Sequence, residues 1–250
     1  MRTKIYYFSA TGNSMTTAKL LAEQLHAETV PVAAVKHLPK VVEDADVVGF
    51  VFPVYYGDMP YPVREMISKM VFKPEAYVFI CTTQRGFAGT AAKRTDLLLR
   101  TRGQKLSLAV GVMMPGNSFI NEPHVDAEYL EKQQENVLAL VPQIQNREVQ
   151  DYSVTEVLPL PPVASPNNFR GITADENCIG CGTCVKVCPM DNITLQNGKA
   201  VIGDSCATCL ACFHWCPVEA VWMSKQPDIA RRSKYHHPQV TLADIAAQKK

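Results

Sequence analysis

No apolar run in the 250-residue chain approaches the roughly 18 residues that a membrane helix needs, so no membrane role is expected. Net charge is nearly absent as well. The 25 basic side chains against 24 acidic ones leave +1, too little for the basic footprint of a nucleic-acid binder. No G-x-G-x-x-G follows a strand-like run, so no separate dinucleotide site is evident and nicotinamide is not expected as the direct donor. Met1-Arg2-Thr3-Lys4 enters a strand-like run at once, which leaves no room for a signal peptide. Cysteine is scarce outside one stretch: of nine in the chain, all but Cys81 lie between 178 and 216. Thiols reserved in this way suit metal binding in a reducing cytoplasm. What is present is a 47% hydrophobic content, enough for a real core, and a length that fits one ordinary domain plus a small one.

The cysteines form two runs, Cys178-x2-Cys181-x2-Cys184-x3-Cys188-Pro189 and Cys206-x2-Cys209-x2-Cys212-x3-Cys216-Pro217, each position of the second lying 28 residues after its counterpart. Zinc ribbons use two C-x-x-C pairs and explain neither the third cysteine of each run nor the fourth before proline. Four disulfides would need an oxidising compartment. Over about residues 170–225 the runs resemble bacterial-type two-cluster ferredoxins. The resemblance implies two 4Fe–4S cubes with crossed ligation and low-potential, one-electron transfer. Cys178, Cys181, Cys184 and Cys216 would hold one cube; Cys206, Cys209, Cys212 and Cys188 would hold the other. Phe213, His214 and Trp215 fill the spacer of the second run and would shield a cluster from water.

At the other end, Lys4 to Phe8 reads as a strand and Met15 to Leu25 as a helix with apolar residues at helical spacing. Between them lie Ser9, Ala10, Thr11, Gly12, Asn13 and Ser14. A hydroxyl-rich loop entering a helix N-terminus is an anion site, and without Lys or Arg it suits a phosphate monoester better than a triphosphate. A plain strand–turn–helix with a capping serine remains the alternative. The segment FSATGNS resembles the FMN phosphate loop of flavodoxins, and with the cysteine runs it resembles the opening of flavodoxin–ferredoxin fusion proteins.

Further strands are expected at Glu28–Val32, Ala45–Phe52, Tyr77–Thr82 and Lys105–Met113, with helices at Tyr61–Met70, Thr90–Arg100 and Val125–Gln145, the last ended or kinked by Pro142. The alternation predicts an α/β fold, a flavodoxin-like doubly wound five-stranded parallel sheet in the order 2-1-3-4-5, followed by a small α+β ferredoxin-like domain. Ligands in such sheets sit beyond the carboxyl ends of the strands. By resemblance, FMN contacts are expected from Pro53, Val54, Tyr55, Tyr56 and Gly57, from Thr82, Thr83, Gln84, Gly86, Phe87 and Gly89, and from a fourth loop, Met114 to Phe119, through Asn117. Tyr55, Tyr56 and Phe87 are the candidates to stack on the ring, and Gly57 to turn its carbonyl toward flavin N5. Tyr55, Tyr56 and Asp58 are the only obvious proton donors at that edge. Cys81 reads as a buried small hydrophobe. Lys93, Arg94, Arg100, Arg102 and Lys105 read as a solvated helix face or a docking patch.

The expected domains are 1–149 for FMN, a proline-rich linker at 150–173 with Pro159, Pro161, Pro162 and Pro166, 174–225 for the clusters, and a basic tail at 226–250 that packs on the cluster segment or docks a partner. The parts together describe an internal electron path between clusters and flavin, serving a redox protein donor or acceptor or a small-molecule acceptor in an anaerobic or microaerobic host. The classes left open are an oxidoreductase, a protein-to-protein carrier and a redox sensor.

Overall fold

The computed structural model describes residues 1–117, 123–157, 170–230 and 233–250. Within them the apolar runs become strands and the amphipathic segments helices, in two units. Among the described residues no helix is long and apolar enough to cross a membrane.

The first unit takes residues 1–9, 13–115 and 123–157 of those described. Its elements are β1 (Thr3–Tyr7), α1 (Asn13–Leu25), β2 (Glu28–Pro31), α2 (Val32–Val35), β3 (Val41–Glu43), β4 (Val47–Pro53), α3 (Tyr61–Ser68), β5 (Met70–Phe72), β6 (Tyr77–Gln84), α4 (Ala91–Arg100), β7 (Leu108–Met113), α5 (Pro123–Glu131) and α6 (Gln133–Gln145). The main sheet is parallel with the order β2-β1-β4-β6-β7, which is the flavodoxin-like order. Strands β4 and β6 are buried along nearly their whole length, as central strands covered on both faces must be. Phe50, Phe52, Phe79 and Ile80 fill that core, and Cys81 is fully buried among them, its thiol pushed up to about 12 by burial. Helix α1 packs on α6 and α3 on α2 and α4, the two-sided covering that the winding requires.

Three expectations need correction. The helix from Tyr61 ends at Ser68, and Met70–Phe72 instead forms β5, paired in parallel with β3. The apolar-polar burial of these three-residue strands is too short to register as alternation. The helix Val125–Gln145 is two helices broken at Lys132. Gln133 is 4% exposed there and donates to Thr16 Oγ1 (2.8 Å) and Thr17 Oγ1 (3.1 Å), so α6 docks on α1 from its first residue. Pro142 neither ends nor breaks α6, because it lies near the helix end and its own carbonyl still accepts from Asn146. Basic residues of α4 and of the turn after it are engaged within the unit: Lys93 with the Tyr152 and Ser153 carbonyls, Arg100 with Asp96, and Arg102 with the Met70 carbonyl.

The second unit takes residues 10–12, 116–117, 170–230 and 233–250 of those described. It contains β8 (Ile172–Ala174), α7 (Thr183–Val187), β9 (Ile193–Gln196), β10 (Lys199–Ile202), α8 (Ala211–His214), β11 (Val221–Met223), α9 (Pro227–Ala230) and α10 (Leu242–Ala247). Strands β8 and β11 pair antiparallel, as do β9 and β10. Asn197-Gly198 turns the second pair, both residues with positive φ (49° and 72°), the backbone that a two-residue hairpin needs. The 28-residue repeat is also a repeat of backbone. The left-handed residues Gly180, Gly182 and Asp191 of the first run recur as Thr208, Leu210 and Glu219 in the second. Ile172 and Thr173, expected in the linker, are in β8. Pro159, Pro161, Pro162 and Pro166, Ser118 and Phe119 of the fourth loop, and Arg231 and Arg232 of the tail lie outside the described residues.

Candidate redox sites

In each run two C-x-x-C steps wind a loop that enters a short helix through a left-handed residue, Gly182 before α7 and Leu210 before α8. The third cysteine of each run rides on that helix, Cys184 on α7 and Cys212 on α8. Cys188 is the C-cap of α7 with extended backbone (φ −69°, ψ 113°), so the chain leaves the turn that carries Cys184. One cavity is lined by Cys178, Cys181, Cys184 and Cys216. A second is lined by Cys188, Cys206, Cys209 and Cys212. Each opens to solvent, and the remaining wall is mostly apolar: Ile179, Leu195 and Val218 in the first, Ile172, Met190 and Ile202 in the second. Among the described residues no three such side chains close in on a single metal ion.

The thiols already have partners aimed at sulfur. The Ala200 N–H points at Cys178 Sγ (3.4 Å), Asn192 N–H at Cys188 Sγ (3.4 Å) and Thr208 N–H at Cys206 Sγ (3.3 Å). The hydrogen bond with Thr183 holds the Cys181 thiol below the usual range. Burial pushes Cys184, Cys209 and Cys212 up, Cys212 well above its ordinary value.

The second spacer is covered residue by residue by the tail. The Lys234 ammonium lies 3.1 Å from the centroid of the Phe213 ring, and His236 stacks on Trp215 at 4.4 Å. Tyr235 N–H donates to His214 Nδ1 (3.0 Å), which leaves His214 Nε2–H as donor to the Asn117 carbonyl (2.7 Å). Burial lowers Lys234, opposed by Glu219 and the thiols of Cys216 and Cys212. Against the first spacer the tail packs α10 on α7, with Lys249 bonded to the Val185 carbonyl (3.1 Å) and paired with Asp191 (2.5 Å). The tail therefore packs on the thiol-bearing segment. Sequence reasoning left its role open, because its basic residues carry no periodic pattern.

At the carboxyl edge of the first unit's sheet, Ser9 (4% exposed), Asn13 (8%) and Ser14 (1%) are buried. Ser14 Oγ meets Thr83 Oγ1 at 2.7 Å and Asn13 Nδ2 donates to the Pro115 carbonyl at 2.9 Å, so the first loop is tied to the third and fourth. Val54 N–H donates to the Thr83 carbonyl (3.0 Å), at the end of Pro53's strand. Tyr55 and Asp58 exchange backbone bonds of 2.9 and 3.0 Å across Tyr56 (φ 56°) and Gly57 (φ 77°), a tight two-residue turn with both central residues left-handed. The Gly57 carbonyl accepts from Thr90 N–H at 2.8 Å, and a Cβ on Gly89 would run into the Gly57 backbone. Thr82 Oγ1 donates to Gln84 Oε1 (2.7 Å). Phe87 is 76% exposed beside Gly86, which has open space where a side chain would project. Tyr55 meets Phe8 edge-on at 6.4 Å.

Asp58 is no free proton donor. It is 2% exposed, pairs with Arg64, lies 3.8 Å from Arg94 and accepts from Met59 N–H. Burial raises its carboxyl, and the two arginines oppose that rise. A lone aspartate after a glycine gave no sequence signal of this clamp. Nor did the sequence single out Arg85, which pairs with Asp126 of α5 and lies over the Tyr129 ring (5.7 Å), anchoring the third loop.

Ala10, Thr11, Gly12 and Asn117 group with the second unit. The Ala10 carbonyl accepts from Trp215 Nε1–H (3.0 Å) and the Thr11 carbonyl from His237 N–H (2.7 Å). Asn117 Nδ2 donates to the Cys209 carbonyl (3.2 Å). Gly12 has φ +106°, and a Cβ there would lie 2.7 Å from His237 Cβ.

Comparison with known proteins bears first on the cysteine segment. Residues 177–221 match the model of the 4Fe-4S dicluster domain. Ferredoxin-2 of Desulfomicrobium norvegicum is 54% identical over 33 residues, 13% of this chain and 56% of that protein's length. A ferredoxin of Methanothermococcus thermolithotrophicus is 36% identical over 55 residues, 20% of this chain and 92% of its own length. A flavodoxin structure from Streptococcus pneumonia overlays 56% of this chain and 99% of its own, with 18% identity and a TM-score of 0.34. At that score the overlay adds nothing to the strand order given above.

Proposed function

The chain belongs to the ferredoxins through its 4Fe-4S dicluster segment, and from that premise we propose that it passes electrons between two 4Fe–4S clusters and one FMN and acts as an oxidoreductase on an external acceptor. The observation that carries the proposal is the division of eight thiols into two cavities, each taking three cysteines from one run and the fourth from the other. Cys178, Cys181, Cys184 and Cys216 hold one cluster; Cys206, Cys209, Cys212 and Cys188 hold the other. The fit is chemical as well as spatial: four soft ligands, an apolar wall and backbone N–H groups aimed at sulfur suit an iron–sulfur cube. When bound, the clusters supply one-electron steps and the flavin one- or two-electron steps. The buried thiols of Cys209 and Cys212 hold their protons strongly, so binding iron releases those protons, and loading weakens as pH falls.

FMN is assigned to the carboxyl edge of the parallel sheet. Ser9, Thr11, Asn13 and Ser14, with the backbone of Ala10 and Gly12, cradle its phosphate with neutral donors. The strand order, the buried hydroxyls and the left-handed Tyr56-Gly57 turn support that reading. Pro53 to Gly57 and Thr82 to Gly89 flank the ring, with the exposed Phe87 free to cover it. The parallel-sheet unit is the flavin part and the thiol-bearing unit, from β8 onward, the cluster part, and a reducing compartment such as the cytoplasm suits both.

A second reading, a protein-to-protein carrier, is favoured by one observation: Asp58, the carboxylic acid expected to donate a proton at that edge, is held by Arg64 and Arg94. Anaerobic reconstitution followed by iron, sulfide and flavin analysis tests the cofactors. The reductive titration separates the readings. A flavin that fills in two separated one-electron waves marks a carrier, and a single two-electron wave marks an oxidoreductase. A chain that binds no flavin defeats the FMN assignment.

A further inference from the structure

The short spacer Phe213-His214-Trp215 joins Cys212, which lines one cavity, to Cys216, which lines the other. Phe213 is fully buried in it. The Lys234 ammonium lies 3.1 Å from the centroid of that ring. The groups that act on Lys234 electrostatically are Glu219 and the thiols of Cys216 and Cys212, one thiol from each cavity. Lys234 is held from both sides. Its ammonium sits on the ring face, and the next residue donates its N–H to His214 Nδ1. His236, two residues on, is stacked on Trp215. Fixing a lysine side chain costs rotamer freedom. A face-on aromatic contact offsets part of that cost.

A cation in this place acts on whatever charge the cavities carry. Reducing an iron–sulfur cube adds one electron and no proton, so the reduced form is the more negative one. A fixed positive charge beside both sockets stabilises it. The charge is half-buried, so salt screens it less than it would a surface lysine. We propose that Lys234 is a positioning charge, seated on Phe213, that raises the reduction potentials of both clusters together. This inference rests on the two-cluster reading above.

The test uses the full-length reconstituted protein, reduced with dithionite through mediators and followed by electron paramagnetic resonance. Wild type is compared with Lys234→Arg, Lys234→Met, Lys234→Gln and Lys234→Glu, after iron and sulfide analysis of each. Both midpoints are expected to fall in the Met and Gln variants, to fall further in Glu, and to stay near wild type in Arg, with iron content unchanged. That order follows charge, whereas a purely structural role would group Arg with the damaged variants. Gln stands in should Met fail to fold. Loaded variants whose midpoints do not move, or in which only one cluster responds, overturn the inference alone. A wild-type chain without clusters overturns the function reading and this inference with it.

Discussion

The two thiol cavities come from one repeated sequence and are not equivalent. The first has an exposed Cys181, with Cys178 and Cys216 half-buried, and exposed Ile179 (65%) on its rim. In the second, Cys188, Cys209 and Cys212 are buried and Cys206 alone is half-buried. The ligand pattern is identical, so the difference lies in what surrounds it. The spacer Val185-Lys186-Val187 has an exposed lysine at its centre, whereas Phe213-His214-Trp215 is buried but for the half-buried indole and meets the tail at each residue. The repeat fixes where sulfur goes, and the residues between the sulfurs fix how much water reaches it. Burial and N–H···S bonds set cluster potentials, so the two clusters proposed above are expected to differ in potential despite matching ligands.

The largest effects are expected at the proposed ligands. Cys181→Ser and Cys209→Ser are each expected to remove one cluster and about half of the iron. Because membership is crossed, Cys216→Ser must empty the same cavity as Cys181→Ser, which the surviving paramagnetic signal would reveal. Next come the spacers. Phe213→Ala should cost about 3–5 kcal/mol in denaturant unfolding of the holoprotein, and Val187→Ala roughly 1–3 kcal/mol. Equal losses would contradict the asymmetry. Backbone strain gives a smaller contrast. Gly180→Ala forces a Cβ into the Gly198 carbonyl and should destabilise. Its counterpart Thr208→Gly removes a left-handed non-glycine residue, a gain of about 1 kcal/mol before the entropy of glycine is subtracted. The smallest effect is on pH. Burial lowers His237 to about 4, so the folded chain favours its neutral form. Its contribution is fully present above the unfolded value of about 6.5 and is lost as pH falls toward 4. A His237→Gln chain should show a shallower decline of melting temperature across that window.

The sequence made the sheet legible, because each strand of a doubly wound fold is an apolar run between helical patterns. Val47–Pro53 and Tyr77–Gln84 are buried nearly end to end, and the expected Ala45–Phe52 and Tyr77–Thr82 lie within two residues of them at every end. The break at Lys132 was not readable, since it depends on Gln133 bonding to Thr16 and Thr17 more than a hundred residues away. The cysteine spacing pointed to both cavities, because a motif of this kind is local chemistry. The tail was opaque for the opposite reason: Lys234, Tyr235 and His236 acquire meaning only from the spacer they cover. Asp58, expected as a proton donor at the ligand edge, is instead a buried ion-pair partner, which no pattern of neighbours announces.

The most direct test of two unequal sockets in one chain is an anaerobic redox titration of the reconstituted wild type, followed by paramagnetic resonance with iron counted per chain. The expected result is about eight iron atoms and two resolved midpoints, the one lost in Cys181→Ser being distinct from the one lost in Cys209→Ser. A chain holding about four iron atoms, or two clusters with a single shared midpoint, would contradict it.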